Sequence, residues 1–245
     1  MTPGYSTKTE RIAIADTDDL FIRSLLDRQQ YHDPAGIAQS LGICSASWSL
    51  FGLLWPSSMQ LAAYIARRPV CPDERILEIG CGLALASLVG HRRGARVTAS
   101  DCHPLASSFL DHNLQLNRLP DLKYRHGQWG AADVPAGVLD LGIKVLSARY
   151  DLIIGSDLLY ERDMPEMLAD FIDDHARPNA EVWIVDPNRG HRPAFNRHME
   201  TFGFELERDR RLHDKAETDA AGVRSEEYRG RLLVYRRVAE ACSGQ

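Results

Sequence analysis

Arg75-Ile76-Leu77-Glu78-Ile79-Gly80-Cys81-Gly82-Leu83-Ala84-Leu85-Ala86-Ser87 is the stretch that decides the fold of this chain. Its first five residues have the composition of a short buried strand. Gly80-Cys81-Gly82 makes a turn, and the small-residue run that follows opens a helix. Strand, glycine turn and helix start together form a cradle in which backbone can approach a ligand closely. Arg96-Val97-Thr98-Ala99-Ser100-Asp101 then supplies a second strand ending in a carboxylate. It comes about 20 residues after the glycines, a spacing that suits an acid reaching the hydroxyls of a ribose. Glycines also serve plain turns, so Gly-x-Gly alone is weak. Joined to Glu78 and Asp101, it points to a nucleoside cofactor.

The glycine pattern narrows the choice of cofactor. A dinucleotide turn has the form G-x-G-x-x-G/A, with its third small residue letting helix and strand pack around a pyrophosphate. Counted from Gly80, that place holds the bulky Leu85, and the small residue falls one place early, at Ala84. Glu78, two residues before the first glycine, would repel a pyrophosphate and suits a cationic ligand. S-adenosylmethionine carries an ammonium and a sulfonium and no phosphate, so it is the expected cofactor. A nicotinamide cofactor is disfavoured.

Composition agrees with a soluble intracellular enzyme. A length of 245 residues fits one large α/β domain with an extension. No apolar run approaches the roughly 20 residues of a membrane span, and Met1-Thr2-Pro3-Gly4-Tyr5 lacks the regions of a secretory signal. Cys44, Cys71, Cys81, Cys102 and Cys242 include no C-x-x-C pair. They read as reduced thiols in a cytoplasmic protein, with neither a disulfide frame nor a metal site. A net charge of −5 argues against a nucleic-acid partner. Arg208, Arg210 and Arg211 alternate with Glu207 and Asp209 and read as a solvated face.

Elements alternate as a parallel α/β sheet requires. Residues 1–55 form a less regular extension, and 56–240 the main domain. Within the extension, Asp19 to Gln30 is expected to be an amphipathic helix, apolar at Leu20, Ile22, Leu25 and Leu26. Ser57 to Arg68 reads as the next helix. Strands are expected at 75–79, 96–101, 122–126, 150–155 and 180–185, with helices from Ala84, over 104–117, 164–176 and 193–201. Phe204 to Arg210 and Arg231 to Arg236 form a last pair of strands around a polar loop, Asp214 to Arg229.

After the strand at 150–155 comes Ser156-Asp157-Leu158-Leu159-Tyr160. Ligands of open α/β sheets lie outside the carboxyl ends of the strands, so Asp157 and Tyr160 fall beside the cradle, where a substrate would enter. Asp-x-x-Tyr here, with Glu-x-Gly-x-Gly before it, resembles a group of seven-stranded protein lysine methyltransferases. The likeness spans roughly Phe51 to Arg236 and includes Trp55 in Leu54-Trp55-Pro56, Asp101, and Trp129 in Gln128-Trp129-Gly130. Asp186-Pro187-Asn188-Arg189 is similar to the Asp-Pro-x-Arg of the branch that methylates the β subunit of electron transfer flavoprotein.

The resemblance implies a Rossmann-like α/β sheet of seven strands, mostly parallel with an antiparallel C-terminal strand. It also implies a protein substrate with lysine as acceptor. Trp55 and Trp129 would flank the cofactor with aromatic surface. Gly80, Cys81 and Gly82 would pass under its methionine half, Glu78 would balance the ammonium, and Asp101 would hold the ribose. Ser156 would contact the methyl-bearing end, and Asp157 and Tyr160 would be catalytic. Ala84 stands where the family pattern has a third glycine. Two alternatives remain open on the sequence: a small-molecule methyltransferase, and a catalytically silent cofactor-binding module.

Overall fold

The computed structural model describes residues 4–130, 136–214 and 227–237. Two strands come first, β1 (Thr7–Ile12) and β2 (Leu20–Leu25), then a short helix α1 (Ile37–Ser40) and a 3-10 turn over Trp48–Gly52. The alternating part runs α2 (Pro56–Arg67), β3 (Arg75–Ile79), α3 (Leu85–Arg92), β4 (Arg96–Asp101), α4 (Ala106–Leu116) and β5 (Lys123–His126). It continues with α5 (Ala136–Asp140), β6 (Tyr150–Ser156), α6 (Met164–His175), β7 (Ala176–Asp186), α7 (Arg192–Thr201), β8 (Phe204–Asp214) and β9 (Tyr228–Arg237).

Strands β3 to β9 form one seven-stranded sheet in the order β5-β4-β3-β6-β7-β9-β8. The first five pair in parallel, and β9 runs antiparallel to both of its neighbours. The chain starts the sheet in the middle, at β3, and builds outward both ways. That reversal of strand order opens a crevice at the carboxyl ends of β3 and β6, where ligands of such sheets bind. The central strands are buried on both faces, which is why their sequences are near-continuous apolar runs. Alternate residues feed two cores. Ile76, Leu152 and Ile154 join the core under α2, α3 and α4, and Leu77, Ile79 and Ile153 join the one under α6 and α7.

The extension departs from expectation. Asp19 to Gln30 is not a helix: Leu20–Leu25 is a strand paired antiparallel with Thr7–Ile12. Leu20 and Ile22 are buried while Phe21 between them is exposed, a period of two that a helix cannot satisfy. The outer edge of β2 is closed by α4. Asn117 accepts from the Phe21 N–H (2.8 Å) and donates to the Phe21 carbonyl (2.7 Å). One turn earlier Asn113 does the same for Arg23 (2.8 and 3.4 Å). Trp48, Phe51 and Phe109 pack edge to face beside this seam, so the extension shares a core with the sheet. The strands at the far end, β8 and β9, reach further into the expected loop than predicted. The rest of that loop, residues 215–226, lies outside the described residues.

Candidate active site

A cavity of about 510 Å³ opens at the carboxyl ends of β3, β4 and β6. The turn after β3 forms its floor. Gly80 and Gly82 both have positive φ, 54° and 51°. A Cβ on Gly80 would lie 2.6 Å from Leu158 Cδ2, and one on Gly82 would lie 2.8 Å from the Phe51 carbonyl oxygen. The second glycine therefore makes room for the backbone of the Trp48–Gly52 turn, a close approach inside the chain that sequence reasoning reserved for a ligand. Ala84 follows at φ 58°, fully buried, as the N-cap of α3. A non-glycine residue in this left-handed region costs about 1–2 kcal/mol, so the substitution at the third glycine position carries strain.

Two carboxylates brace the turn. Glu78 lies behind it, 2% exposed, and its Oε2 accepts from the Ser87 N–H at 2.7 Å. That N–H belongs to the first turn of α3, whose free donors and dipole favour a negative charge. Burial nevertheless dominates and pushes Glu78 up to about 7. Asp101 ends β4 with one oxygen accepting from Gly82 N–H (2.8 Å) and the other from His103 N–H (2.9 Å). Its pKa is raised by burial.

Opposite this floor, Asp157 follows β6 with φ 56°, and its N–H donates to the Val185 carbonyl at 2.9 Å. Its side chain is 10% exposed and grips the guanidinium of Arg189 with both oxygens, Nε to Oδ1 at 2.8 Å and Nη2 to Oδ2 at 3.0 Å. This hydrogen-bonded pair raises the Arg189 pKa further. Asp186 stands behind them at the end of β7. It is 1% exposed, it accepts from Asn188 N–H with one oxygen, and its pKa is raised by burial. Tyr160, 40% exposed, faces the same cavity.

Residues from the extension roof the cavity, among them Arg28, Leu41, Ile43 and Ser47. Gln128 ties the roof to the floor by donating to the Leu41 carbonyl at 3.0 Å. Trp55 is fixed by its indole N–H, which donates to the Leu50 carbonyl at 2.9 Å. His103 stacks on Phe51 at 3.6 Å between centroids, and burial pulls its pKa down to about 3. The imidazole is thus neutral and adds no positive charge to the wall.

The cavity gathers the glycine turn with Cys81, Asp101, Trp55 and Trp129 from the expected cofactor set. It also gathers Ser156, Asp157 and Tyr160. Glu78 differs: it does not line the cavity, because its carboxylate is spent on the start of α3, so any influence on a ligand acts through space. Three residues escaped the sequence reading. Arg189 was visible in the Asp-Pro-Asn-Arg run, but its target, 32 residues earlier, was not. His103 and Arg28 carried no local signal.

Comparison with known proteins follows the same lines. A family model described as "Lysine methyltransferase" matches residues 45–202. The chain is 33% identical over 121 residues to the histone-arginine methyltransferase METTL23 of Rattus norvegicus, covering 47% of this chain and 50% of that one. It is 26% identical over 155 residues to the electron transfer flavoprotein beta subunit lysine methyltransferase of Homo sapiens, covering 62% and 52%. The chain thus spans about half the length of these curated relatives. Magnesium protoporphyrin IX methyltransferase from Synechocystis PCC 6803, solved with bound SAM, shares the fold. Its TM-score is 0.53 at 17% identity, over 74% of this chain and 78% of that one. With the sheet, the glycine turn and the Asp157–Tyr160 pair in agreement, the chain belongs to the lysine methyltransferase family.

Proposed function

We propose that this protein transfers a methyl group from S-adenosylmethionine to the side-chain amine of a protein lysine. The observation that carries the reading is one cavity holding both a cradle for the cofactor and a charge-paired carboxylate, Asp157, beside Tyr160. The donor set fits the cofactor. The turn from Gly80 to Gly82 lines the cavity, Asp101 presents a carboxylate for hydroxyl groups, and Trp129 offers a half-buried aromatic surface. When bound, the cofactor supplies an electrophilic methyl group on a sulfonium.

The chain's own task is to present a neutral amine. A free lysine has a pKa near 10.4, so only about one in a thousand is neutral near pH 7.4. A lone carboxylate would make this worse by holding the ammonium form. Arg189 resolves the conflict. Its guanidinium balances the charge of Asp157 while using only one lone pair of each oxygen, and a carboxylate has about four such sites. Asp157 can therefore accept a hydrogen bond from the amine and aim it without favouring the charged form. Tyr160 lines the approach with its ring. The amine's proton leaves to water before transfer, and holding the amine in an attacking position accounts for a large share of the acceleration.

Lysine is favoured by the family and by the flavoprotein-directed relative. Arginine is the second reading, because Asp157 already holds a guanidinium in fork geometry and one relative is an arginine methyltransferase. Free thiols at Cys44, Cys71, Cys81 and Cys102 support a reducing, cytoplasmic setting. Incubation with methyl-labelled cofactor and a proteome from cells lacking the gene tests the proposal. Label should enter a protein band and survive acid hydrolysis as methyl-lysine. Methyl-arginine would overturn the choice of acceptor. Label confined to small molecules would overturn the protein substrate.

A further inference from the structure

We propose that Arg28, in the extension, binds the carboxylate of the cofactor's methionine half and so completes the cofactor site. The inference rests on the S-adenosylmethionine reading above. Most charges of the cavity wall are already committed. Arg189 is taken up by Asp157, and His103 is neutral. Asp101, Asp157 and Glu161 are acids. Among the described residues, Arg28 is then the one cation of the wall whose guanidinium has no hydrogen-bond or ion-pair partner. Its planar group lies over the Trp55 ring at 4.8 Å.

The backbone behind this exposed side chain and the ring beneath it are both anchored. The backbone carbonyl of Arg28 accepts from Ser49 Oγ at 2.9 Å, and the Trp55 ring beneath it is pinned to Leu50 at 2.9 Å. Trp55 leads directly into α2, and Ser58 from the first turn of that helix lines the cavity with it. Arg28 thus offers, from an exposed position on the rim of the cavity, a guanidinium fork of N–H donors stacked on an aromatic ring, a group suited to a planar carboxylate. S-adenosylmethionine carries two cationic groups and a single anion. An acidic wall with one uncommitted cation matches that pattern, and the carboxylate is the group the cation can serve. The same assignment gives the extension a task in the cofactor site.

The competing explanation is that Arg28 only packs on Trp55. Calorimetric binding of two ligands separates the two roles: S-adenosylmethionine, and its decarboxylated analogue, which lacks only the anion. Arg28→Met keeps the stem over the indole and removes the charge. It should weaken S-adenosylmethionine about tenfold, the loss of one solvent-accessible charge-assisted hydrogen-bonding partner. The analogue should stay within about twofold of its affinity for the unsubstituted protein. Arg28→Lys, which keeps the charge, should recover most of the loss, and added salt should shrink the difference. Equal weakening of both ligands would overturn the proposal in favour of packing, and unchanged binding of both would overturn it outright. If the unsubstituted protein bound neither ligand, the cofactor reading itself would fall and this inference with it.

Discussion

Glu78→Gln should make the ligand-free protein more stable at neutral pH, although it removes a charge that touches the start of a helix. The carboxylate is 2% exposed and its pKa is pushed from an ordinary 4.5 to about 7, first by loss of solvent. Between those two pH values the folded protein holds a proton that the unfolded chain has released. Stability from this group is therefore fully present below pH 4.5 and is lost as pH rises through 7. The gap, at 1.36 kcal/mol per pH unit, makes about 3 kcal/mol. Glutamine keeps an oxygen for the Ser87 N–H and has no charge to strip of water. Urea denaturation followed by tryptophan fluorescence, at steps from pH 4.5 to 8, gives the stability of both proteins. The difference, variant minus parent, should climb by about 3 kcal/mol across that interval and then level off. A difference that stays flat would refute the account, because it would mean that Glu78 ionises as freely in the fold as in water.

Asp157→Asn should abolish most turnover while cofactor affinity, read by calorimetry, stays within about twofold, and a loss of cofactor binding would move Asp157 into the cradle. Arg189→Met leaves the Asp157 charge uncompensated, so the acceptor amine is held as ammonium and the rate–pH profile should shift to higher pH. Identical profiles in the two proteins would remove that role. Asp101→Asn should weaken S-adenosylhomocysteine by about 1–3 kcal/mol, again by calorimetry. Gly82→Ala should destabilise the fold by at least about 2 kcal/mol in urea, since the methyl meets the Phe51 carbonyl at 2.8 Å with φ at 51°.

The sheet was legible because its signals are local. Buried strands such as Ile76-Leu77 and Ile153-Ile154 announce themselves by composition, and the cavity lies at or just beyond their carboxyl ends, at Gly80 and Ser156. The hairpin was not legible. Leu20, Ile22, Leu25 and Leu26 can be drawn on a helix, and the extended form is preferred only once β1 pairs along one edge and Asn113 and Asn117, some 90 residues away in the chain, close the other. The site divided in the same way. Gly80, Asp101 and Asp157 sit at strand ends, where topology alone predicts chemistry. Glu78 has a position in the motif that suits a ligand, yet burial gives its carboxylate to Ser87. Arg28 acquires meaning only when the extension folds over Trp55.

Asn113 of α4 and Asn117, which caps that helix, also bear on how this molecule avoids its own kind. A strand with an open edge is a template for any other extended chain. On β2 that edge is taken by side-chain amides, whose spacing of four residues along a helix, about 6 Å, nearly matches two residues along a strand, about 6.7 Å. No second chain can add there without first breaking four hydrogen bonds. Among the described residues the other edge of the hairpin, β1, has no such cover, and it carries Lys8, Glu10 and Arg11 among its six residues, charges that an incoming strand would have to bury. One ribbon thus guards its two sides by different means, imitation of a neighbouring strand on one and the cost of dehydrating ions on the other.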